Sequence, residues 1–258
     1  MIPATIALFL ALTPAANERV TYVVDHLVEN GFPRRAAESL FQDPRLKTYP
    51  PVTIAPRKVD WEAYIASLVS PLSVRRGIQF LERNQAMLTK AQEQYGVDKE
   101  VVAAILRVET NFGANIGRYI TFNVFYTQLL RSTEENRWKR AADNLVSLAA
   151  YCKRLRQDCF GIKGSYAGAM GPAQFLPHTL EQLGADGNGD GVVNAFQNAD
   201  AIFSAANFLR ENGWQEDQTR ALGKYYGSVE GYPRAILAYA DALRQSKPNH
   251  TSPEAQAQ

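Results

Sequence analysis

From Asn17 onward, apolar residues return at intervals of three and four positions, and the alternation typical of β-strands is scarcely present. Helix boundaries recur along the chain: Asp60 and Asp98 are N-cap candidates, and Gly96 and Gly113 each follow an apolar stripe. This pattern predicts a mainly α fold. The expected helices begin near positions 17, 33, 60, 71, 98, 133, 177, 198, 217 and 232, and the helix from 71 runs to about 95.

Four segments are expected along the chain. Residues 1–16 form an apolar stretch that is too short to span a membrane and ends in small residues, so we predict a signal peptide; the alternative is a buried N-terminal helix. Residues 17–59 form a helical part with a Pro-rich connection, and residues 60–246 form the core. Residues 247–258 lack apolar periodicity and are expected to be disordered. No cysteine follows the apolar stretch closely, so no lipid anchor is expected.

The charge balance and the absent motifs exclude several functional classes. The chain carries 28 basic and 26 acidic side chains, a net charge of +2, which gives no uniform field for nucleic acid or an anionic membrane. Three histidines and two cysteines are too few and too scattered for a zinc cluster. HExxH, GxxxxGK[ST], GxSxG and CxxC motifs are all missing. Metalloprotease, P-loop and thioredoxin chemistry are therefore not expected.

Glu109 is the one acidic residue in an unusual position. It follows Ile105 by four residues and precedes Phe112 by three, so it shares the apolar face of the helix expected after Asp98. A carboxyl group there must be paired, protonated or lining a cleft. Partial desolvation would raise its pKa, which is what a general acid needs at neutral pH. The alternative is a structural glutamate bonded to a neighbouring group.

The segment 161–177 is unusually rich in glycine and alanine. It has too little side-chain volume to form its own core, but it can bring backbone amides and carbonyls close to a ligand. A flexible loop or a tight helix crossing is the alternative.

Four motifs follow one another between residues 108 and 239: VETNFG, GSYAGAMGPAQFLP, DGNGDGVVN and YYGSVEGYPRAILAY. In this combination the chain resembles the membrane-bound lytic transglycosylase B family of peptidoglycan-cleaving enzymes. The resemblance that these motifs carry extends from about residue 20 to 243. The resemblance implies a lysozyme-like α core, peptidoglycan glycan strands as the partner, and Glu109 as the only catalytic carboxylate. Together with the expected export signal, it implies a periplasmic location.

A single carboxylate matters because most glycoside hydrolases use two. We find no second candidate in the sequence. The resemblance implies that Glu109 protonates the oxygen between N-acetylmuramic acid and N-acetylglucosamine, and then takes the proton of the muramoyl 6-hydroxyl as a 1,6-anhydro sugar closes. No catalytic cofactor is implied. A lysozyme-like hydrolase and a noncatalytic, calcium-stabilised peptidoglycan-binding protein are the alternatives.

The resemblance also assigns substrate-binding residues. Ser165 is expected beside the catalytic acid, and the residues expected to line the sugar subsites or flank the acid are Met170, Gln174, Phe175, Tyr226 and Tyr232. Two departures stand out: Gly227 occupies a position where the family often has asparagine, and only about ten residues separate Gly213 from Tyr225. A small β-rich subdomain that soluble relatives insert there is therefore not expected.

Residues 186–194 follow the start of an EF-hand calcium loop. Oxygen ligands are expected from the side chains of Asp186, Asn188 and Asp190 and from the backbone carbonyl of Val192. The twelfth position is a glutamine, Gln197, which cannot supply the usual carboxylate. The resemblance implies that Asp200 closes the site around a structural Ca²⁺. A turn of Asx and glycine residues without an ion is the alternative.

Cys152 and Cys159 are seven residues apart, too far for a bridge within one straight helix. A helix end near Gln157 would let Cys159 fold back, so a disulfide is expected in an exported protein. Two free buried thiols are the alternative.

Overall fold

A computed structural model of the chain describes residues 13–51, 59–227 and 230–246. Within these ranges the fold is mainly helical, as predicted. The helices are α1 Pro14–Glu29, α2 Arg34–Leu40, α3 Trp61–Leu68, α4 Pro71–Arg83, α5 Gln85–Tyr95, α6 Lys99–Thr110, α7 Thr121–Arg131, α8 Glu135–Leu155, α9 Pro177–Leu183, α10 Asn198–Glu211, α11 Gln218–Tyr226 and α12 Gly231–Gln245. Two short antiparallel strands, β1 Tyr119–Ile120 and β2 Lys163–Gly164, pair Tyr119 with Gly164. In the described part of the chain, no helix has the length and apolarity needed to cross a membrane.

Helix α6 is the central element of the fold. It packs against α4, α5, α10 and α12, and the six consecutive residues 101–106 are all buried. A helix that is buried on every side is apolar around its whole circumference, not along one stripe. The catalytic candidate Glu109 lies in the last turn of this helix, where it emerges from the core.

Both ends of α6 differ from the prediction. The helix ends at Thr110, three residues before Gly113, because Asn111, Phe112 and Gly113 all have positive φ angles (52°, 60° and 87°). At the other end, the carboxylate of Asp98 makes no capping hydrogen bond and instead pairs with Arg244 of α12 at 2.5 Å. At the C-terminal end, Asn111 takes the left-handed cap position that was expected at Gly113. At the N-terminal end, the ion pair with another helix takes up the carboxylate that was expected to cap.

Other helix predictions need correction. The expected helix from 71 to 95 is divided at Asn84, whose backbone and side-chain N–H groups both donate to the carbonyl of Phe80. Helix α1 begins at Pro14 and is capped by Thr13, not by Asn17. Helix α7 was not predicted, because Ile120 at its N-cap position gives no capping signal.

The N-terminal part packs onto the core. Arg19 of α1 donates hydrogen bonds to the carbonyls of Leu129 and Ser132, at 2.8 and 2.9 Å. Further along, the backbone N–H of Tyr49 donates to Thr127 on α7. The boundary near residue 59 stays a prediction. Most of the expected signal segment, and all of the expected tail at 247–258, lie outside the described residues.

Candidate active site

The carboxyl group of Glu109 is held by one tyrosine. The hydroxyl of Tyr232, on α12, donates to Glu109 Oε1 at 2.6 Å. Burial disfavours the charged carboxylate and raises the pKa of Glu109 to about 7, although the hydrogen bond from Tyr232 acts in the opposite direction. Near neutral pH this group can therefore both give and accept a proton.

Three neighbouring tyrosines come from the last two helices. Tyr232 is 1% exposed, and the ring of Tyr226 stacks on it with centroids 4.7 Å apart, while Tyr226 itself is 51% exposed. The hydroxyl of Tyr225 donates to the carbonyl of Ala173 at 2.7 Å. Burial and the nearby charge of Glu109 raise the pKa of Tyr225 and Tyr232 well above the ordinary value. Both phenols are therefore neutral donors at physiological pH.

Sequence reasoning missed Tyr225 and also Tyr64, which lies on α3. Burial raises the pKa of Tyr64; the charge of Arg107 lowers this pKa, and the charges of Glu109 and Tyr226 raise it. Helix α3 is fixed against α12 at Gly231, where an added Cβ would overlap the ring of Trp61. The only sequence signal for Tyr64 was its place in an aromatic pair with Trp61 after a capping aspartate, and that signal does not point to Glu109.

The glycine-rich segment forms a tight loop against the end of α6. The hydroxyl of Thr110 donates to the carbonyl of Pro172 at 2.8 Å, which joins the loop to the helix that carries Glu109. Gly171 approaches the backbone of Ala195 so closely that a Cβ would overlap its carbonyl. The close approach here is to the protein's own backbone, and the approach of this segment to a ligand stays a prediction.

Ser165 and Gln174 face a common groove. Its volume is about 490 Å³, and its described lining residues are Ala114, Asn115, Ile116, Gly117, Arg118, Tyr119, Ser165, Tyr166 and Gln174. The oxygen of Ser165 accepts from the backbone N–H groups of Ala167 and Ala169, at 3.2 and 3.1 Å. With both lone pairs used, its hydroxyl proton is the part left for another partner. Glu109 is not among these lining residues.

Met170 and Phe175 lie in the hydrophobic core. Met170 is 1% exposed, and its backbone N–H donates to the carbonyl of Phe175 at 2.8 Å. The ring of Phe175 packs against Phe208 and Tyr225. Their predicted role as sugar-lining residues stays a prediction, and their burial does not favour it. Gln174 has a φ of 53°, and its side chain donates to the carbonyl of Gly171 at 2.9 Å.

The loop at residues 186–197, which leads into α10 and is called the acidic loop below, is held together by hydrogen bonds from its own backbone N–H groups. Asp186 accepts from the N–H groups of Gly189 and Gly191, both at 2.7 Å. Asp200 is 1% exposed and accepts from Gly187 at 2.9 Å and Asn194 at 2.7 Å. Burial raises the pKa of Asp200, and the charges of nearby aspartates act in the same direction. A cation would relieve this arrangement.

The side chains of the acidic loop and of the start of α10 offer the type of ligand atom that calcium prefers, which is oxygen. These side chains are Asp186, Asn188, Asp190 and Asp200. Side-chain geometry is less favourable: Asn188 donates to Asp190 and also to Gln197, at 2.9 and 2.5 Å. Among the described residues, no group of three or more His, Cys, Asp or Glu side chains is arranged to hold a metal ion. Calcium binding therefore stays a prediction.

Cys152 and Cys159 form a disulfide, with their Cα atoms 5.6 Å apart. Helix α8 ends at Leu155, and Arg156 adopts a left-handed conformation with a φ of 52°. The chain then turns back into a short 3₁₀ helix, Cys159–Gly161. The expected pairing and the expected helix end before Cys159 are both present.

The candidate site therefore combines a mainly helical fold with the partly buried carboxyl group of Glu109, the Tyr232 hydroxyl that donates to it, and a glycine-rich loop joined to the same helix. The sequence matches the transglycosylase SLT domain family over residues 15–226, which is most of the chain. The chain belongs to this family. It is also 30% identical over 177 residues to membrane-bound lytic murein transglycosylase B of Escherichia coli K12. That match covers 68% of this chain but only 48% of the relative, so the chain spans about half of the relative's length.

Solved structures share the fold. The Escherichia coli lytic transglycosylase Slt35 in complex with calcium superposes with a TM-score of 0.78 at 20% identity, covering 90% of this chain and 93% of that chain. SltB3 from Pseudomonas aeruginosa, in complex with NAG-NAM-pentapeptide, gives a TM-score of 0.77 at 19% identity, covering 90% of this chain and 80% of the other. At these identities the likeness establishes the lysozyme-like helical fold alone.

Proposed function

We propose that this protein is a lytic transglycosylase that cleaves the β-1,4 bond between N-acetylmuramic acid and N-acetylglucosamine in peptidoglycan. The observation that carries this proposal is the hydrogen bond from Tyr232 to Glu109, a carboxyl group whose burial raises its pKa to about 7. Membership of the transglycosylase SLT domain family supports it. The relative from Escherichia coli is by name a murein transglycosylase, and SltB3 is described with NAG-NAM-pentapeptide.

The chemistry requires Glu109 to act twice. Protonated Glu109 gives its proton to the glycosidic oxygen as the bond from that oxygen to C1 of the muramoyl residue breaks. The carboxylate left behind is stabilised by the donated hydrogen bond of Tyr232. It then takes the proton of the muramoyl 6-hydroxyl while that oxygen bonds to C1. Glu109 is thereby protonated again, by the proton of the 6-hydroxyl. The products are a 1,6-anhydro end and a free N-acetylglucosamine hydroxyl, and no water is consumed.

The surrounding residues have supporting roles in this proposal. Ser165 has a hydroxyl proton to donate to an N-acetyl carbonyl, and the exposed ring of Tyr226 offers a flat face to a pyranose ring. Gln174 is fixed by its bond to Gly171 and lines the same groove as Ser165. We assign no direct sugar contact to the side chains of Met170 and Phe175, since both are buried.

We also propose export to the periplasm and a structural Ca²⁺ at the acidic loop. Export is supported by the apolar stretch 1–16 and agrees with peptidoglycan as the proposed substrate. Calcium would be held by Asp186, Asn188, Asp190, the carbonyl of Val192, and Asp200. Its contribution would be to neutralise these carboxylates, since none of the proposed catalytic groups belongs to the loop.

The experiment that tests the activity is digestion of purified sacculi, followed by mass spectrometry of the product ends. We expect 1,6-anhydro ends, which are one water lighter than hydrolytic ends. Glu109→Gln should lower turnover by roughly two to four orders of magnitude, because the amide cannot transfer the proton. Glu93→Gln, at an exposed position on α5, is the matched control. Reducing ends alone would make the protein a hydrolase, and sugar binding without turnover would make it a binding protein.

A further inference from the structure

A second cavity, of about 360 Å³, lies at the turn that ends α6. We call it the arginine pocket, and its lining residues are Arg76, Phe80, Arg83, Asn84, Asn111, Phe112 and Asn198. They come from α4 and the turn after it, the turn after α6, and the first residue of α10. None of them has a role in the reaction proposed above.

The charge of the arginine pocket is positive. Arg76 and Arg83 are seven residues apart on α4, so they lie two turns apart on one face. Among the described residues neither forms an ion pair, and no described lining residue is acidic. Arg83 uses its Nε–H to bond the carbonyl of Gln79, which leaves its terminal N–H groups for another partner.

The carboxamides add directed hydrogen bonding. Asn111 keeps its Oδ1 atom buried without a partner, so Nδ2, a donor, is the amide atom left for the pocket. Asn84 has the opposite arrangement: its Nδ2 donates to the carbonyl of Phe80 at 2.9 Å, and Oδ1 is left to accept. The stacked rings of Phe80 and Phe112, with centroids 4.6 Å apart, form an apolar wall.

Several donors, one acceptor and an apolar wall suit a carboxylate that has an amide N–H and a short side chain beside it. We infer that the arginine pocket binds the peptide attached to the muramoyl residue, through a carboxylate of that peptide. The identity of the ligand rests on the proposed function. Asn111 follows Glu109 by two residues, about 7 Å of extended backbone at most, so the pocket is close to the catalytic acid along the chain. In a peptide-bearing strand the lactyl carboxyl of N-acetylmuramic acid is tied up in the amide bond to the peptide, so the sugars themselves would leave the two guanidinium groups without an anion.

The test measures binding first, because binding needs no turnover. A fluorescent stem peptide with free carboxylates is titrated into the full-length protein by anisotropy, beside the same peptide with every carboxylate amidated. We expect the amidated peptide, and the Arg76→Gln/Arg83→Gln double variant, to bind about ten- to a hundredfold more weakly, because charge-assisted hydrogen bonds are lost. Arg75→Gln, on the same helix but outside the pocket, should bind like the wild type.

A kinetic arm links the pocket to the proposed reaction. The double variant should raise KM for peptide-bearing strands with little change in kcat. On strands freed of peptide by an amidase, where the lactyl group carries the only carboxylate, KM should rise far less. Equal binding of the amidated peptide, equal losses in Arg75→Gln, or inorganic phosphate bound as tightly as the peptide would overturn the inference. If no strand is cleaved but the anisotropy results hold, the proposed activity fails and the peptide site stands.

Discussion

At the scale of single residues, the decisive feature is that Glu109 lies where the buried helix α6 leaves the core. Its burial favours the protonated acid, whereas the hydroxyl of Tyr232 favours the carboxylate. These opposing effects keep the pKa close to the working pH of a group that must give and then take a proton. A fully buried glutamate without the tyrosine would hold its proton too strongly.

Burial of Glu109 should lower stability at neutral and alkaline pH. Its pKa is raised from 4.5 to about 7, so the native state binds more protons than the unfolded state between these values, and stability falls as pH rises through this range. At about 1.4 kcal/mol per pH unit, the loss is about 3 kcal/mol. Glu109→Gln removes it, so the variant should gain stability relative to the wild type as pH rises from 4.5 to 7, with no further gain above. Urea unfolding at several pH values measures this, and a constant difference between the two proteins would contradict it.

Tyr232→Phe should move the pH profile of cleavage. The substitution keeps the buried ring but removes the hydrogen bond that lowers the pKa of Glu109, so that pKa should rise. Because the first step needs protonated Glu109, the alkaline limb of kcat/KM should shift to higher pH, and kcat should fall because the carboxylate loses its donor. Tyr225→Phe is the control, since that buried phenol bonds a backbone carbonyl instead. An unmoved alkaline limb would argue against Glu109 as the acid.

At the scale of elements, two loops are fixed against the helices of the core. The glycine-rich loop is joined to α6 by Thr110 and Pro172, and the acidic loop leads directly into α10 through Asp200. Backbone hydrogen bonds close the glycine-rich loop, whereas backbone N–H groups of the acidic loop donate to the side-chain carboxylates of Asp186 and Asp200. The conformations of both loops are therefore defined even though they contain little regular structure.

Calcium should raise the melting temperature through the acidic loop. At a free concentration one hundred times the dissociation constant, one ion adds about 2.7 kcal/mol if the unfolded chain does not bind it. Asp200→Ala should abolish most of the calcium-dependent shift, while Gln197→Ala should abolish little. Since Asp200 also accepts two backbone hydrogen bonds, its variant loses stability without calcium too, so the readout is the shift between calcium and EDTA. An equal shift in Asp200→Ala, or none in the wild type, would rule out this site.

At the scale of the whole molecule, close helix packing places the catalytic acid. Helices α4 and α12 both pack on α6, and they meet at Gly77, where an added Cβ would lie 2.5 Å from Leu243 Cδ2 and from the hydroxyl oxygen of Tyr239. Tyr232 lies on α12 and Glu109 lies on α6, so the separation of α12 from α6 sets the distance from the tyrosine hydroxyl to the carboxyl group.

Gly77→Ala should therefore destabilise the fold by about 1–3 kcal/mol through overpacking. Gly223→Ala is the matched control: it is also a helical glycine, but no atom lies within 4 Å of its added Cβ, so a gain of up to about 1 kcal/mol is expected from helix propensity. Denaturant midpoints of the two variants give the comparison. Equal effects would show that α4 and α12 can separate without cost.

The sequence by itself determined the helical class, most helix starts, the unusual position of Glu109, and the pair of cysteines. These follow from capping and periodicity, which act over a few residues along the chain. Only the tertiary structure decided the break at Asn84, the start of α7, and the three positive φ angles after Thr110. The same holds for the neighbours of Glu109: Tyr232 is 123 residues away in the sequence, and Tyr64 lies on a separate helix. Such proximity comes from the packing of α3, α6 and α12 around one core, and no local pattern encodes it.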